Sequence, residues 1–115
     1  MNVGGHVVRG AVVSTTVGTK PEACELARGL VGDGLAACVQ LTPVTSLYRW
    51  QGALEETPEI LLTIKTTEGG ARRLVDAIRE RHTYEVPEIL VTPVIGGSDA
   101  YLEWIDAQVM PTEQP

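Results

Sequence analysis

Four groups of side chains in this sequence have the makings of binding or proton chemistry. The first is His82 with Tyr84, Glu85 and Glu88, in the stretch HTYEVPEI. An imidazole beside carboxylates can ligate a transition metal or exchange protons near neutral pH. The same histidine can equally close a helix, its ring complementing the C-terminal dipole ahead of Pro87. One imidazole is also a weak start, because metal sites draw three or four protein ligands. The second group is Tyr48, Trp50 and Trp104. It offers either a stacking wall for a small ligand or the anchors of a protein interface, where aromatic side chains dominate. The third, Glu55, Glu56 and Glu59, reads as a solvated face, with cation binding as the alternative. The fourth, Gly96-Gly97-Ser98-Asp99, presents backbone N–H groups that can hold an anion or simply cap a helix. Beyond these there is no HExxH, GxxxxGK[ST], GxGxxG or Ser/His/Asp pattern, and the chain has two histidines in all. Nucleophilic and metal-hydrolytic catalysis therefore have few parts, and a binding protein is expected rather than an enzyme.

The elements that must position these groups centre on Leu35 to Thr67. Two long apolar, β-branched runs flank Gln51-Gly52, which predicts a β-hairpin with a two-residue turn. Each arm has about fifteen residues where strands usually have five or six, and at about 3.3 Å per residue it reaches roughly 50 Å. Pro43 and Pro58 interrupt the arms, and a proline cannot donate to a ladder, so both mark edges or bends. The inner halves, Ala36–Leu41 and Ile60–Thr66, are expected in a central sheet. The outer halves are expected to pair with other molecules, with Tyr48 and Trp50 as interface residues first and ligand contacts second.

Around the hairpin, a loose start to His6 precedes a first strand at Val7–Thr16. Thr19 is a plausible N-cap with Pro21 in the first turn, and Ala23, Leu26, Ala27, Leu30 and Val31 form a helical stripe. Gly32 and Gly34 end that helix. A second helix is expected from about Glu68 to Arg81 on Ala71, Leu74, Val75 and Ile78, its first turn weakened by Gly69-Gly70. Glu88–Val94 reads as a fourth strand. Ser98 caps a third helix over Asp99 to about Val109, with Tyr101, Leu102, Ile105 and Val109 on its apolar face, before a tail from Pro111. The order β-α-β-β-α-β-α is that of an α+β, ferredoxin-like split βαβ sandwich with a C-terminal helix. A faint repeat agrees: Leu41-Thr42-Pro43-Val44 and Val91-Thr92-Pro93-Val94 follow Ser14-Thr15-Thr16 and Lys65-Thr66-Thr67 by 27 and 26 residues, threonine to threonine.

Composition bounds the rest. The 115 residues make one domain, 43% hydrophobic and 21% charged, as in ordinary soluble proteins. Net charge is −6, and no basic cluster exceeds Arg72-Arg73, so no nucleic-acid partner is expected. There is no basic, apolar leader pattern and no run of about eighteen apolar residues, so neither export nor a membrane partner is expected. Cys24 and Cys38 fit no CxxC spacing and read as small buried hydrophobes in a reduced, cytoplasmic chain.

Several of these stretches together carry a family likeness. LAACVQLTPVTSLYRWQG, EILLTIKTT, HTYEVPEI and GSDAYLEWI, in this order, resemble the CutA divalent-cation tolerance family, over roughly Val7 to Val109. The resemblance implies a ferredoxin-like subunit, a homotrimer in which the hairpins embrace neighbours, and a role in tolerance of copper and other divalent ions. Within it His82, Tyr84, Glu85, Pro87 and Glu88 match HPYExPE, Tyr48, Trp50 and Gly52 match SxYxWxG, Cys38 matches LAACV, and Lys65 matches the lysine of KT. Thr83 and Gln40 depart from the usual proline and asparagine. Thr15 stands where some bacterial members carry a cysteine implicated in copper binding, which disfavours soft copper(I) here. The resemblance thus implies no obligatory cofactor but copper(II) or zinc as ligands, with His82 and Glu85 as candidate metal residues. The alternative it implies is a trimeric small-ligand sensor or docking scaffold of the nitrogen-regulatory type. Its cleft would be made by Tyr48, Trp50 and Lys65, with Tyr84, Glu88 and Trp104 at the cleft or trimer interface.

Overall fold

The computed structural model describes residues 2–111, so Met1 and the tail beyond Pro111 lie outside the described residues. Strands β1 (Asn2–Val3) and β2 (His6–Val7) form a small ribbon. Then follow β3 (Gly10–Val17), α1 (Lys20–Gly32), β4 (Cys38–Trp50), β5 (Ala53–Thr66), α2 (Ala71–Arg81), β6 (Leu90–Val94) and α3 (Asp99–Gln108). The start is therefore a paired ribbon and not a loose end, and the first sheet strand begins at Gly10, later than expected. Strand β6 begins at Leu90, two residues late, because Pro87 holds the preceding segment in a loop.

The main sheet runs β4-β5-β3-β6, antiparallel throughout, which is the split βαβ arrangement. Alternation along β3 and β5 turns Val13, Val17, Leu62 and Ile64 to one side, where Leu26, Leu30, Leu74 and Ile78 of α1 and α2 close over them. Helix α1 starts as its residues dictate: the Thr19 hydroxyl accepts from the Glu22 N–H, with proline in the first turn. It ends with Gly34 left-handed (φ 71°), a conformation that costs glycine nothing. Val31, expected on its apolar stripe, is exposed, as is Tyr101 of α3. A second, smaller cluster of Ala37, Leu102, Ile105 and Val109 fixes α3. Both cysteines are free and half-buried. Among the described residues no helix is long and apolar enough to cross a membrane.

The hairpin behaves as its two halves demand. Ile60 to Lys65 pair with β3 on one side and with β4 on the other, and Thr66 pairs with β3 alone. Beyond Ile60 the ladder with β3 stops, and β4 and β5 continue alone from Val44↔Glu59 to Trp50↔Ala53. Pro43 sits on β4, the edge strand, and Pro58 sits past the end of the β3 ladder, so no bond to a third strand is missing. Gln51 (φ 49°) and Gly52 (φ 83°) are both left-handed, the two-residue turn whose twist matches the strands.

Candidate functional site

Period-two alternation sends Ser46, Tyr48 and Trp50 of β4 to one face of the ribbon. Their register partners are Thr57, Glu55 and Ala53, so Glu59, two residues further along β5, lies on that face as well. Thr16 pairs with Leu61 and continues the same face onto β3. The loop after α2 lies against this face with Tyr84, Glu85, Val86, Pro87 and Glu88. Together these residues enclose a cleft of about 690 Å³, with Leu47 on its wall.

The loop is clipped down by His82. Its Nδ1 accepts the Tyr84 N–H at 3.0 Å, so the ring proton must sit on Nε2, which donates to the Thr16 carbonyl at 2.8 Å. The Thr83 hydroxyl adds a bond to Glu22 on α1 at 2.6 Å. Held in this way, Tyr84 donates its hydroxyl to Glu59 at 2.7 Å and tilts its ring against His82, centroids 4.8 Å apart. Burial, then the bond to Glu59 and the charge of that carboxylate, push the Tyr84 phenol well above its ordinary value. Tyr84 is therefore a neutral donor at any physiological pH. Glu88 reaches the Ser14 hydroxyl at 3.5 Å, and the Tyr48 hydroxyl accepts from Thr57 at 3.3 Å.

Charge is the plainest property of this cleft. Glu59, Glu85 and Glu88 line it and no lysine or arginine does. Glu59 is 8% exposed, although the run Glu55, Glu56, Glu59 suggested a solvated face. Tyr84, the residue that donates to it, is far away in sequence. An acidic, partly apolar cleft of this kind favours cations.

The residues singled out from sequence divide. Tyr48, Trp50, Tyr84, Glu85 and Glu88 come together in the cleft. Lys65 does not join them: it pairs with Cys38 and Val12 in the central sheet and hydrogen-bonds Gln40. Trp104 stacks on Tyr101 along α3, centroids 5.5 Å apart, away from the cleft lining. His82 and Glu85 line different cavities, and both His82 nitrogens are spent inside the chain. The imidazole of the folded chain thus has no free lone pair for copper or zinc. Among the described residues no three His, Cys, Asp or Glu side chains are grouped closely enough to hold a metal ion. The Thr15 position is fully buried on the helix-facing side of β3, and its hydroxyl has no hydrogen-bond partner among the described residues.

Comparison with known proteins matches this geometry to one family. The family model described as CutA1 divalent ion tolerance protein matches residues 11–108. The Thermus thermophilus divalent-cation tolerance protein CutA is 42% identical over 82% of this chain and 92% of its own length. The chloroplastic CutA of Arabidopsis thaliana is 38% identical over 91% of this chain, which spans 58% of that longer protein. Among solved structures, CutA from Synechococcus elongatus superposes with a TM-score of 0.87 at 38% identity, covering 91% of this chain and 94% of its own. The Archaeoglobus fulgidus protein, titled periplasmic, superposes with a TM-score of 0.85 at 30% identity, covering 88% and 99%.

Proposed function

Since the chain belongs to the CutA1 divalent ion tolerance family, we propose that it works as a homotrimeric cation-binding protein and not as an enzyme, with the acidic cleft as its receiving site. The observation that carries this reading is the lining itself, three carboxylates with no basic side chain to neutralise them. Their oxygens suit copper(II) or zinc rather than copper(I), and no thiol stands at Thr15. Among the described residues one chain does not group three ligands, so the set for a metal ion has to be completed by waters or by a neighbouring chain. Assembly is supported by Leu47 and Leu54 on the outer ribbon, 62% and 73% exposed, and by a ribbon that leaves β5 without a third strand beyond Ile60. The free thiols of Cys24 and Cys38 fit a reducing, cytoplasmic setting.

Calorimetric titration of copper(II) and zinc into the wild type and a Glu85→Gln/Glu88→Gln variant tests the site. The variant is expected to lose most of the affinity, and equal binding in both proteins removes the cleft from the account. Sedimentation is expected to show three subunits, and a stable monomer defeats the assembly. A second reading, a trimeric small-ligand sensor with an indirect part in metal tolerance, is favoured by the volume and aromatic walls of the cleft. About 690 Å³ is the scale of small-molecule sites and far exceeds the needs of one ion.

A further inference from the structure

We propose that the cleft is built to take an aliphatic ammonium ion, its charged head against Glu59 and its alkyl body along Tyr48 and Trp50. This rests on the reading of the cleft as a cation site and names the chemistry of the cation.

Glu59 is the starting point. It is more than nine-tenths buried and lines the cleft. Among the described residues its hydrogen-bond partner is the Tyr84 hydroxyl, a neutral donor, and it has no ion pair. A buried carboxylate without an ion pair is expensive; Lys20 lines a separate cavity on another side of Glu59, and the Tyr84 phenol, a neutral donor, does not offset the charge. The site therefore favours a positive charge entering from the cleft side. Glu85 and Glu88, exposed on the rim, reinforce the same sign.

The walls decide which kind of cation fits best. A small metal ion needs several oxygen or nitrogen ligands at fixed short distances, and the described residues of one chain group no such set. An ammonium on a carbon chain needs only one or two acceptors, and its remaining attraction comes from aromatic faces and apolar contact. Tyr48 and Trp50 stand two residues apart on one face of β4, with Val86 and Pro87 completing an apolar wall. In the single chain both aromatic residues are about two-fifths exposed, and both line the cleft. Acid at the floor, aromatic and aliphatic carbon along the side, and no base anywhere in the lining match an alkylammonium.

The test uses butylammonium as probe and butanol as its neutral analogue. Both are titrated into the assembled protein carrying Trp104→Phe, so that the remaining tryptophan, Trp50, reports occupancy by fluorescence while calorimetry reads affinity. Butylammonium is expected to bind saturably and shift Trp50 emission, with butanol giving neither signal. Glu59→Gln, which keeps an acceptor for Tyr84, is expected to weaken butylammonium roughly tenfold or more. Trp50→Leu, at an exposed position that the core does not need, is read by calorimetry and is expected to weaken it as well. Equal binding of butylammonium and butanol, or no loss in either variant, overturns the inference. Copper(II) titrated in parallel separates it from the reading it rests on. Copper(II) binding without butylammonium binding sinks the ammonium proposal alone, whereas butylammonium binding alone upholds it and removes direct metal binding. Failure of both sinks both.

Discussion

Replacing His82 tests whether this residue is a ligand or a clip. In the folded chain its ring joins two distant backbone groups, the Thr16 carbonyl at 2.8 Å and the Tyr84 N–H at 3.0 Å. A net hydrogen bond contributes about 0.5–1.5 kcal/mol, and more is lost where a partner is left buried and unsatisfied. Thr16 is buried, so His82→Ala should cost about 2–3 kcal/mol. The cost should divide in a way that a generic core defect would not. His82→Asn places a carbonyl oxygen near the Nδ1 position and keeps the bond from Tyr84. His82→Gln places an amide N–H near Nε2 and keeps the bond to Thr16. Each should recover roughly half of the loss. Urea unfolding at one fixed protein concentration measures this, because a trimer makes stability concentration-dependent. Copper(II) affinity measured on the same three variants completes the argument. An imidazole ligand predicts equal loss in all three, while a clip predicts a graded loss that follows stability. Nitrogen NMR showing the ring proton on Nδ1, or an alanine variant as stable as the wild type, refutes the assignment.

Two further outcomes follow from buried oxygens. Thr15→Val exchanges a fully buried hydroxyl that has no partner for a methyl group of the same shape, beside Val13 and Val17. It should raise the unfolding free energy by about 1 kcal/mol in urea titration, and a destabilised variant would mean that the hydroxyl is satisfied after all. Tyr84 should shape the alkaline limb of stability. Its folded phenol titrates above the unfolded value of about 10, so above that pH the unfolded chain releases a proton that the folded chain keeps. The stabilisation is full below pH of about 10 and is lost as pH rises beyond it. Tyr84→Phe should flatten the decline of unfolding free energy there. Tyr101, whose phenol is raised by burial first and by contact with Cys38 second, adds to the slope in the same direction. An unchanged slope in Tyr84→Phe would show that the Glu59 contact does not persist in solution.

The legible and illegible parts of this molecule differ in the range of the forces behind them. Gln51-Gly52 announces its turn because left-handed backbone is a local demand, and both residues adopt it. Pro43 and Pro58 mark where the hairpin leaves the sheet because a missing N–H is local too, and the β3 ladder does stop between Ile60 and Pro58. The faint repeat places Pro43 and Pro93 on β4 and β6, the two edges of the sheet, where that missing donor is harmless. The cleft is different, since the contacts that bring its parts together from separate elements span long stretches of chain. Glu59 looked solvated beside Glu55 and Glu56, yet it is buried and takes its hydrogen bond from Tyr84, 25 residues later. His82 looked available to a metal, and what occupies its ring is Thr16, 66 residues earlier. Lys65 and Trp104 carried family and aromatic signals but not position, since neither lines the cleft. One signal was present but unused. Glu59 shares the two-residue period of Leu61, Thr63 and Lys65, which places it on the face opposite Leu62 and Ile64 and in line with Tyr48. An acid on that face, at the inner end of the ribbon that carries Tyr48 and Trp50 and followed in the chain by a histidine-tyrosine loop, is the pattern of a covered carboxylate. Whether a metal ion or an organic cation answers that charge, Glu59 is the residue on which the cleft depends.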